Sequence, residues 1–382
     1  MGNGKKKASS MRIGIDARLY QESGIGRYIR NLISNLQKQD KKNSYFIFCL
    51  KKDYDSIPDA SNFTKVVTNI KWYSFREQLF FPAIISQHQI DLMHFPHFNV
   101  PIFYRGRYVV TIHDLIHQHF SMQRSSTHAP FIFGIKKKGY DLSLSNALKR
   151  SEKIIVPSVY VKNCLIGECN VNPKKIVVTL EGVEKEIISI SKKITSLKID
   201  ETLKKFNIRP PFIFYLGNAH PHKNVEGLIE AFLILRKKYQ YLTLILSGSD
   251  HYFWKRIKQT FQHKDIIYTG FITDEEMVAI YKKAECRVIP SFEEGFGIPV
   301  LESFACGCPV VCSNVASLPE IARDGALYFD PANVSDISTK IREVINSKKV
   351  QAELSAKGLK YLNDFSWEKM TEQTLKIYNT KL

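Results

Sequence analysis

Twice along the chain, short runs of β-branched, leucine and aromatic residues alternate with longer stretches whose apolar positions recur at helical spacing. That alternation leaves few folds open. Strands separated by helical crossovers pair in parallel, and a parallel sheet needs helices over its faces. The first series of strands is expected at 11–17, 45–50, 65–70, 91–95, 108–112, 153–157 and 175–180. The second is expected at 212–216, 242–247, 266–268, 287–289 and 310–312. Residues 184–207 are charged and lack a sheet pattern, so 187 to about 211 is expected to be a linker plus one helix. The expected fold class is α/β, two Rossmann-like domains at 11–205 and 206–364, with no short tandem repeat.

Bulk properties narrow the class further. Lysine and arginine (55) exceed aspartate and glutamate (37), a formal net charge of +18. Such a surplus attracts polyanions. No RRM, KH or zinc-finger pattern is present, so an anionic membrane surface is preferred over nucleic acid. The segment Phe131-Ile-Phe-Gly-Ile-Lys136-Lys137-Lys138 joins apolar bulk to a basic cluster and is the candidate docking element. No window approaches the roughly 18 apolar residues of a membrane-spanning helix. Residues 1–10 lack the apolar core of a secretion signal, and Gly2 is followed by Lys6 where myristoylation wants Ser or Thr. They are expected to be a disordered leader or tag, with the fold starting at Met11. The seven scattered cysteines form no Cys-x-x-Cys pair; they read as small buried thiols in a reducing cytoplasm, not as a zinc site.

The densest chemistry lies in Glu294-Gly-Phe-Gly-Ile-Pro-Val-Leu-Glu302. A buried strand precedes it and a small-residue helix follows, so Glu294 falls in a strand-to-helix loop and Glu302 about one turn into the helix. Pro299 suits a first helical turn. Loops at strand carboxyl ends are where open α/β sheets bind ligands, and helix-start N–H groups favour an anion there. Two carboxylates beside an anion site are suited to accepting hydrogen bonds from sugar hydroxyls.

Other candidates sit at comparable positions. Gly24-Ile-Gly26 follows the first strand as a phosphate loop would, but Ile29 stands where a dinucleotide fingerprint wants a third glycine, which disfavours a nicotinamide enzyme. His113 ends the strand Val110-Thr-Ile-His, where a neutral imidazole is suited to exchanging a hydrogen bond with a sugar hydroxyl. Asp114 either orients that loop or contacts an acceptor. His94 and His97 end another strand, with packing and ligand roles both open. Lys223 lies near a helix amino terminus, a position that an arriving anion would relieve, and Asn224 is expected to cap that helix. Gly270-Phe271-Ile272 precedes a capping-box-like start at Thr273. The aromatic helical pattern from Trp72 through Phe75 to Phe81 reads as core or as an acceptor groove, and Ser291 and Phe292 as walls of the sugar pocket.

The Glu294/Glu302 segment resembles the signature of the GT4 family of retaining glycosyltransferases, which have the GT-B fold. Asp16-Ala-Arg18 and Thr111-Ile-His-Asp-Leu115 look like bacterial mannosyltransferases of polysaccharide and O-antigen synthesis. The resemblance covers nearly all of the chain after residue 10. It implies two domains facing across a cleft, with a terminal helix at 365–382 packing back on the first. It implies that Glu302 holds a ribose, that Glu294, Gly295, Phe296, Gly297 and Ile298 face the transferred sugar, and that His113 contacts that sugar. Lys223 would bind the diphosphate, Phe271 and Ile272 would bracket the base, and Gly24 and Gly26 would approach the diphosphate. His113, Glu294 and Lys223 are thus the catalytic candidates. Trp72, Phe75 and Asp114 would serve the acceptor. Asn218 stands where many members carry a phosphate-binding arginine, leaving one cation to be replaced by His220, His222 or water.

The implied reaction is retaining transfer of a hexose, with mannose from GDP-mannose foremost, to a lipid-linked or growing glycan at the cytoplasmic membrane face. Front-face attack is implied, with a phosphate oxygen taking the acceptor proton, no resident cofactor and no metal. Two alternatives stand: a catalytically silent protein binding polyanions or nucleic acid, or another GT-B enzyme such as a UDP-sugar transferase, phosphorylase or epimerase.

Overall fold

The computed structural model describes residues 10–119 and 130–380, with backbone only for 130–136. The expected leader, apart from Ser10, lies outside the described residues, as do the side chains of 131–136. The chain forms two compact units. One holds residues through His113, the segment from the helix Pro130–Arg150 to Leu180, and the chain from Trp367 onward; the other holds 114–119 and 181–366.

The first unit is built on seven strands: β1 (Arg12–Asp16), β2 (Ser44–Cys49), β3 (Phe63–Val67), β4 (Leu92–Phe95), β5 (Tyr108–Thr111), β6 (Lys153–Val156) and β7 (Ile176–Val178). They pair in the order β3-β2-β1-β4-β5-β6-β7, every neighbour parallel. The order reverses direction between β1 and β4, the point at which sheets of this kind open a ligand crevice. Ile13, Ile15, Ile47, Val109, Val110, Ile154 and Ile155 are fully buried, as strands covered on both faces must be. The helix Trp367–Asn379 packs on the helix Gly24–Gln39: Trp367 lies edge-on to Tyr28, and Gln39 donates to the carbonyl of Glu368.

The second unit repeats the plan with six strands: β8 (Phe212–Leu216), β9 (Thr243–Ser247), β10 (Ile266–Gly270), β11 (Cys286–Ile289), β12 (Val310–Ser313) and β13 (Ala326–Phe329). Their order is β10-β9-β8-β11-β12-β13, again all parallel. Its reversal lies between β8 and β11. Ile213, Leu244, Leu246, Val288 and Val311 pack against Leu228, Phe232, Ile337 and Ile341 of the covering helices.

Three local expectations are corrected. The third strand begins at Phe63 and ends at Val67, because its pairing with β2 stops at Cys49. Residues 185–205 hold two helices, Lys185–Lys193 and Ser196–Lys205. Thr195 caps the second by accepting from Lys198 N, and Ile187, Ile199 and Leu203 bury a side of each, so the charged surface hid a narrow apolar stripe. The edge strand β13 was not anticipated; its four residues lie between Gly325 and Asp330, too short a run to register as a period. All seven cysteines are free, and five are buried.

Candidate functional site

The loops that follow β8 and β11 meet at the reversal point of the second sheet. After β8 the chain runs Gly217-Asn218-Ala219-His220, makes a single 3₁₀ turn at Pro221–Lys223, and enters the helix Val225–Arg236. After β11 it runs from Pro290 to Gly297 and enters the helix Ile298–Cys306, with Pro299 in its first turn. The two loops are tied by a backbone bond from Phe292 N to the carbonyl of His222, 2.7 Å. They are also tied by an ion pair: Lys223 Nζ lies 2.7 Å from both Oε1 and Oε2 of Glu294.

Glu294 is held on further sides. Ser291 Oγ donates to its Oε1 at 2.7 Å. Ser317 Oγ lies within hydrogen-bond distance of the backbone carbonyls of Glu294 and Phe296, at 2.9 and 2.6 Å. Only 8% of the residue is exposed, so these charges interact in a poorly screened setting. Gly297 has φ +116°, a backbone conformation that favours glycine, and a Cβ there would press on the Leu318 side chain at 3.2 Å. Gly295 and Phe296 are buried, the latter edge-on to Phe365. Glu302 lies on the helix, 5% exposed. Ile298 is half-buried at the helix start.

Asn218 is turned inward on its own loop. Its Oδ1 accepts from His220 N, and its carbonyl accepts from Tyr215 OH. Asn224 does not cap the helix as expected. It adopts the left-handed conformation at φ 52° and donates to the carbonyl of Pro331. The His220 and His222 rings stack with centroids 5.8 Å apart. Burial, then Lys223, His220 and His117, push the His222 imidazole down to about 3, so it is neutral. His220 is lowered by burial, then by Lys223, His251 and His117. Phe271, just past β10, is 75% exposed, whereas Ile272 is buried.

The segment 114–119 belongs with this second unit. Asp114 Oδ1 accepts from Ile116 N and so starts the short helix Ile116–His119. His119 Nδ1 stands 2.8 Å from Oε1 of Glu293, a buried carboxylate next to Glu294 that sequence reasoning passed over. The sequence offered only a partial signal, the Glu293-Glu294 doublet after a buried strand, since two carboxylates buried side by side need two partners.

In the first unit, His113 follows β5. Its Nε2 lies 3.0 Å from the carbonyl of Pro96, which makes Nε2 the donor. Tyr28 packs edge-on against its ring at 4.9 Å. His94 is core, not rim: its ring nitrogens bond Tyr378 OH and Thr111 Oγ1, and burial followed by the His113 charge lowers it to about 3. Gly24 opens the first helix with free space around it, whereas a Cβ on Gly26 would lie 2.5 Å from the carbonyl of Tyr20. Trp72 lines a cavity of about 10 Å³ with Asp16, Arg18, His97 and Asn99, room for one water and not for a sugar. Beside it Arg18 bridges Asp16 and Glu77, and Asn99 donates to Glu77. Phe75 begins the helix Phe75–Ser86 and is 81% exposed.

Among the site residues anticipated from sequence, the structure therefore joins Lys223, Glu294 and Ser291 directly. Gly24, Gly26, His113, Trp72 and Phe75 lie in the first unit; the others lie in the second. Among the described residues no group of three metal-binding side chains is found, and no helix is long and apolar enough to cross a membrane.

Comparison with known proteins bears on this geometry. Residues 23–186 match the family model "Glycosyltransferase Family 4", and residues 198–361 match "Glycosyl transferases group 1". The chain is 29% identical over 384 residues to the O-antigen chain mannosyltransferase B of Escherichia coli, covering 94% of this chain and 96% of that one. The Anabaena protein HepE, solved with UDP and glucose, superposes with a TM-score of 0.74 at 15% identity over 97% of this chain and all of that one. WaaG, described as a glycosyltransferase involved in lipopolysaccharide biosynthesis, gives 0.73 at 11% identity over 96% and 99%.

Proposed function

Taking as premise that the chain is a glycosyltransferase of the GT4 type, with a family 4 domain followed by a group 1 domain on the GT-B fold, we propose that it transfers mannose, with retention, from GDP-mannose to an acceptor hydroxyl on a lipid-linked or growing glycan. The observation that carries this reading is the Lys223–Glu294 pair at the reversal point of the second sheet. One group is suited to a phosphate and the other to sugar hydroxyls, and each now occupies the other. The mannose assignment rests on the full-length similarity to an O-antigen mannosyltransferase.

On this reading the diphosphate docks at the loop after β8 and draws Lys223 Nζ off Glu294. The Glu294 oxygens, still braced by Ser291, then accept from the sugar. The bond between the anomeric carbon and the diphosphate oxygen breaks, and the electron pair leaves with the diphosphate. Lys223 and the amino termini of the helices Val225–Arg236 and Ile298–Cys306 stabilise that developing negative charge. The acceptor oxygen bonds to the anomeric carbon on the same face, and its proton passes to a phosphate oxygen. Glu302 holds the ribose, Phe271 and Ile272 flank the base, and His113 contacts the sugar. Asp114 and the exposed Phe75 serve the acceptor, the cavity at Trp72 being too small for a sugar, and Gly24 and Gly26 serve the approach to the diphosphate. The reading calls on no metal and no resident cofactor; its positive charge comes from the protein. The enzyme works at the cytoplasmic membrane face, drawn there by its surplus of 18 positive charges.

A thermal-shift panel of GDP-, UDP- and dTDP-sugars tests the donor, since the preferred donor stabilises the fold by mass action. GDP-mannose giving the largest shift, with an α-linked product by NMR, supports the reading. A larger shift with a UDP- or dTDP-sugar replaces the donor, and a β-linked product removes retention.

A further inference from the structure

Arg287 lies on β11, at the same reversal point, and no role has so far fallen to it. In register it pairs with Phe214 of β8. Its Nη2 nevertheless donates to the carbonyl of Leu216, two residues further along that strand. At about 3.3 Å per residue the side chain reaches roughly 6–7 Å toward the carboxyl edge of the sheet. The guanidinium thus ends beneath Gly217 and Asn218, where the loop after β8 begins.

Only 1% of Arg287 is exposed, and its plane is set among the rings of Phe214, Tyr215 and Tyr281, 5.3–5.8 Å to the centroids. Nε and Nη1 have no hydrogen-bond partner. No carboxylate forms an ion pair with Arg287 among the described residues. An arginine does not shed its proton, so this is a permanent buried charge with two donor nitrogens unmet. A methionine or leucine would pack against three rings without that penalty. A buried group left unsatisfied in this way calls for an explanation beyond packing.

The loop above it supplies one. Asn218 carries no charge, and Lys223 is held by Glu294. A dianion arriving on this loop would otherwise meet one lysine already paired with a carboxylate, and the helix amino termini. Through a low-polarity interior the field of a buried cation is weakly screened. We propose that Arg287 is a positioning residue for the donor diphosphate, a cation fixed under the loop after β8 that attracts the phosphates from below and holds the Leu216 carbonyl away from them. It touches no substrate atom. The inference rests on the donor site lying at this loop, as proposed above.

Calorimetry with wild type, R287M, R287Q and R287K separates this role from packing. The ligands are GDP, UDP and the corresponding nucleosides. Wild type should bind its preferred diphosphate well above the nucleoside. R287M should weaken the diphosphate about tenfold or more, the scale of one charge about 10 Å away at an effective dielectric near 20. Nucleoside affinity should stay within about twofold, and R287K should recover most of the loss. If R287M does not fold, R287Q against R287K carries the same contrast. Equal weakening of nucleoside and diphosphate, or an unchanged diphosphate affinity, overturns the inference and leaves the donor site standing. Wild type binding neither diphosphate overturns the donor site, and the inference with it.

Discussion

Lys223 Nζ sits equidistant from the two oxygens of Glu294, 2.7 Å from each. The two residues are 71 positions apart, and the pair exists because β8 and β11 are adjacent while their loops leave the sheet at one edge. The ion pair is largely buried, with side-chain exposures of 18% and 11%. Removing one member leaves the other charge without its partner in a poorly solvated place.

Either truncation should therefore abolish most activity for a distinct reason. Lys223→Ala removes the phosphate cation and Glu294→Ala the sugar contact; each is expected to lower kcat/KM by about 100-fold or more. Glu294→Gln keeps the shape and tests charge alone. Steady-state rates with a radiolabelled donor decide it, and near-normal turnover in either alanine variant would remove that residue from the reaction.

Ser291 bonds Glu294 directly. Ser291→Ala should cost about 1 kcal/mol of stability, the net worth of one hydrogen bond to a buried partner. It should also raise KM for the donor several-fold, because the carboxylate loses its fixed orientation. Urea unfolding and initial rates measure the two effects; an unchanged KM would mean that Lys223 alone orients Glu294.

Acid should unfold the protein through its buried imidazoles. His94 is neutral when folded, lowered from 6.5 to about 3, whereas in the unfolded chain it protonates near its ordinary value. The unfolded state then binds the extra proton in that window. Stability is full above about pH 6.5 and falls as pH drops toward 3, at about 1.4 kcal/mol per pH unit for each such group. His94→Gln should flatten the slope by one proton between pH 6 and 4, read from urea midpoints. A parallel slope in the variant would place the acid sensitivity elsewhere, His222 first.

Membrane docking predicts a charge dependence. Lys137 and Lys138 are exposed on the helix Pro130–Arg150. Replacing both with glutamine should weaken co-sedimentation with anionic vesicles by roughly 5-fold per lysine, from about 1 kcal/mol each. Wild type binding neutral and anionic vesicles equally would dismiss the electrostatic attraction.

Period and punctuation in the chain announced two parallel α/β halves, because burial of a strand on both faces writes itself as an unbroken apolar run. The same reading found the Glu294–Glu302 segment and the loop holding Lys223, since a Gly-Phe-Gly-Ile-Pro turn and a His-Pro-His-Lys-Asn turn are local. It missed β13, a four-residue edge strand, and the second helix at Ser196–Lys205, whose apolar stripe is thin. It expected Asn224 to cap a helix, where the left-handed backbone and the Pro331 carbonyl claim it instead. The Lys223–Glu294 bond, the His119–Glu293 contact and the reach of Arg287 to Leu216 were decided by tertiary structure alone. Each joins segments far apart in sequence, and only the strand order sets which carboxyl ends lie side by side.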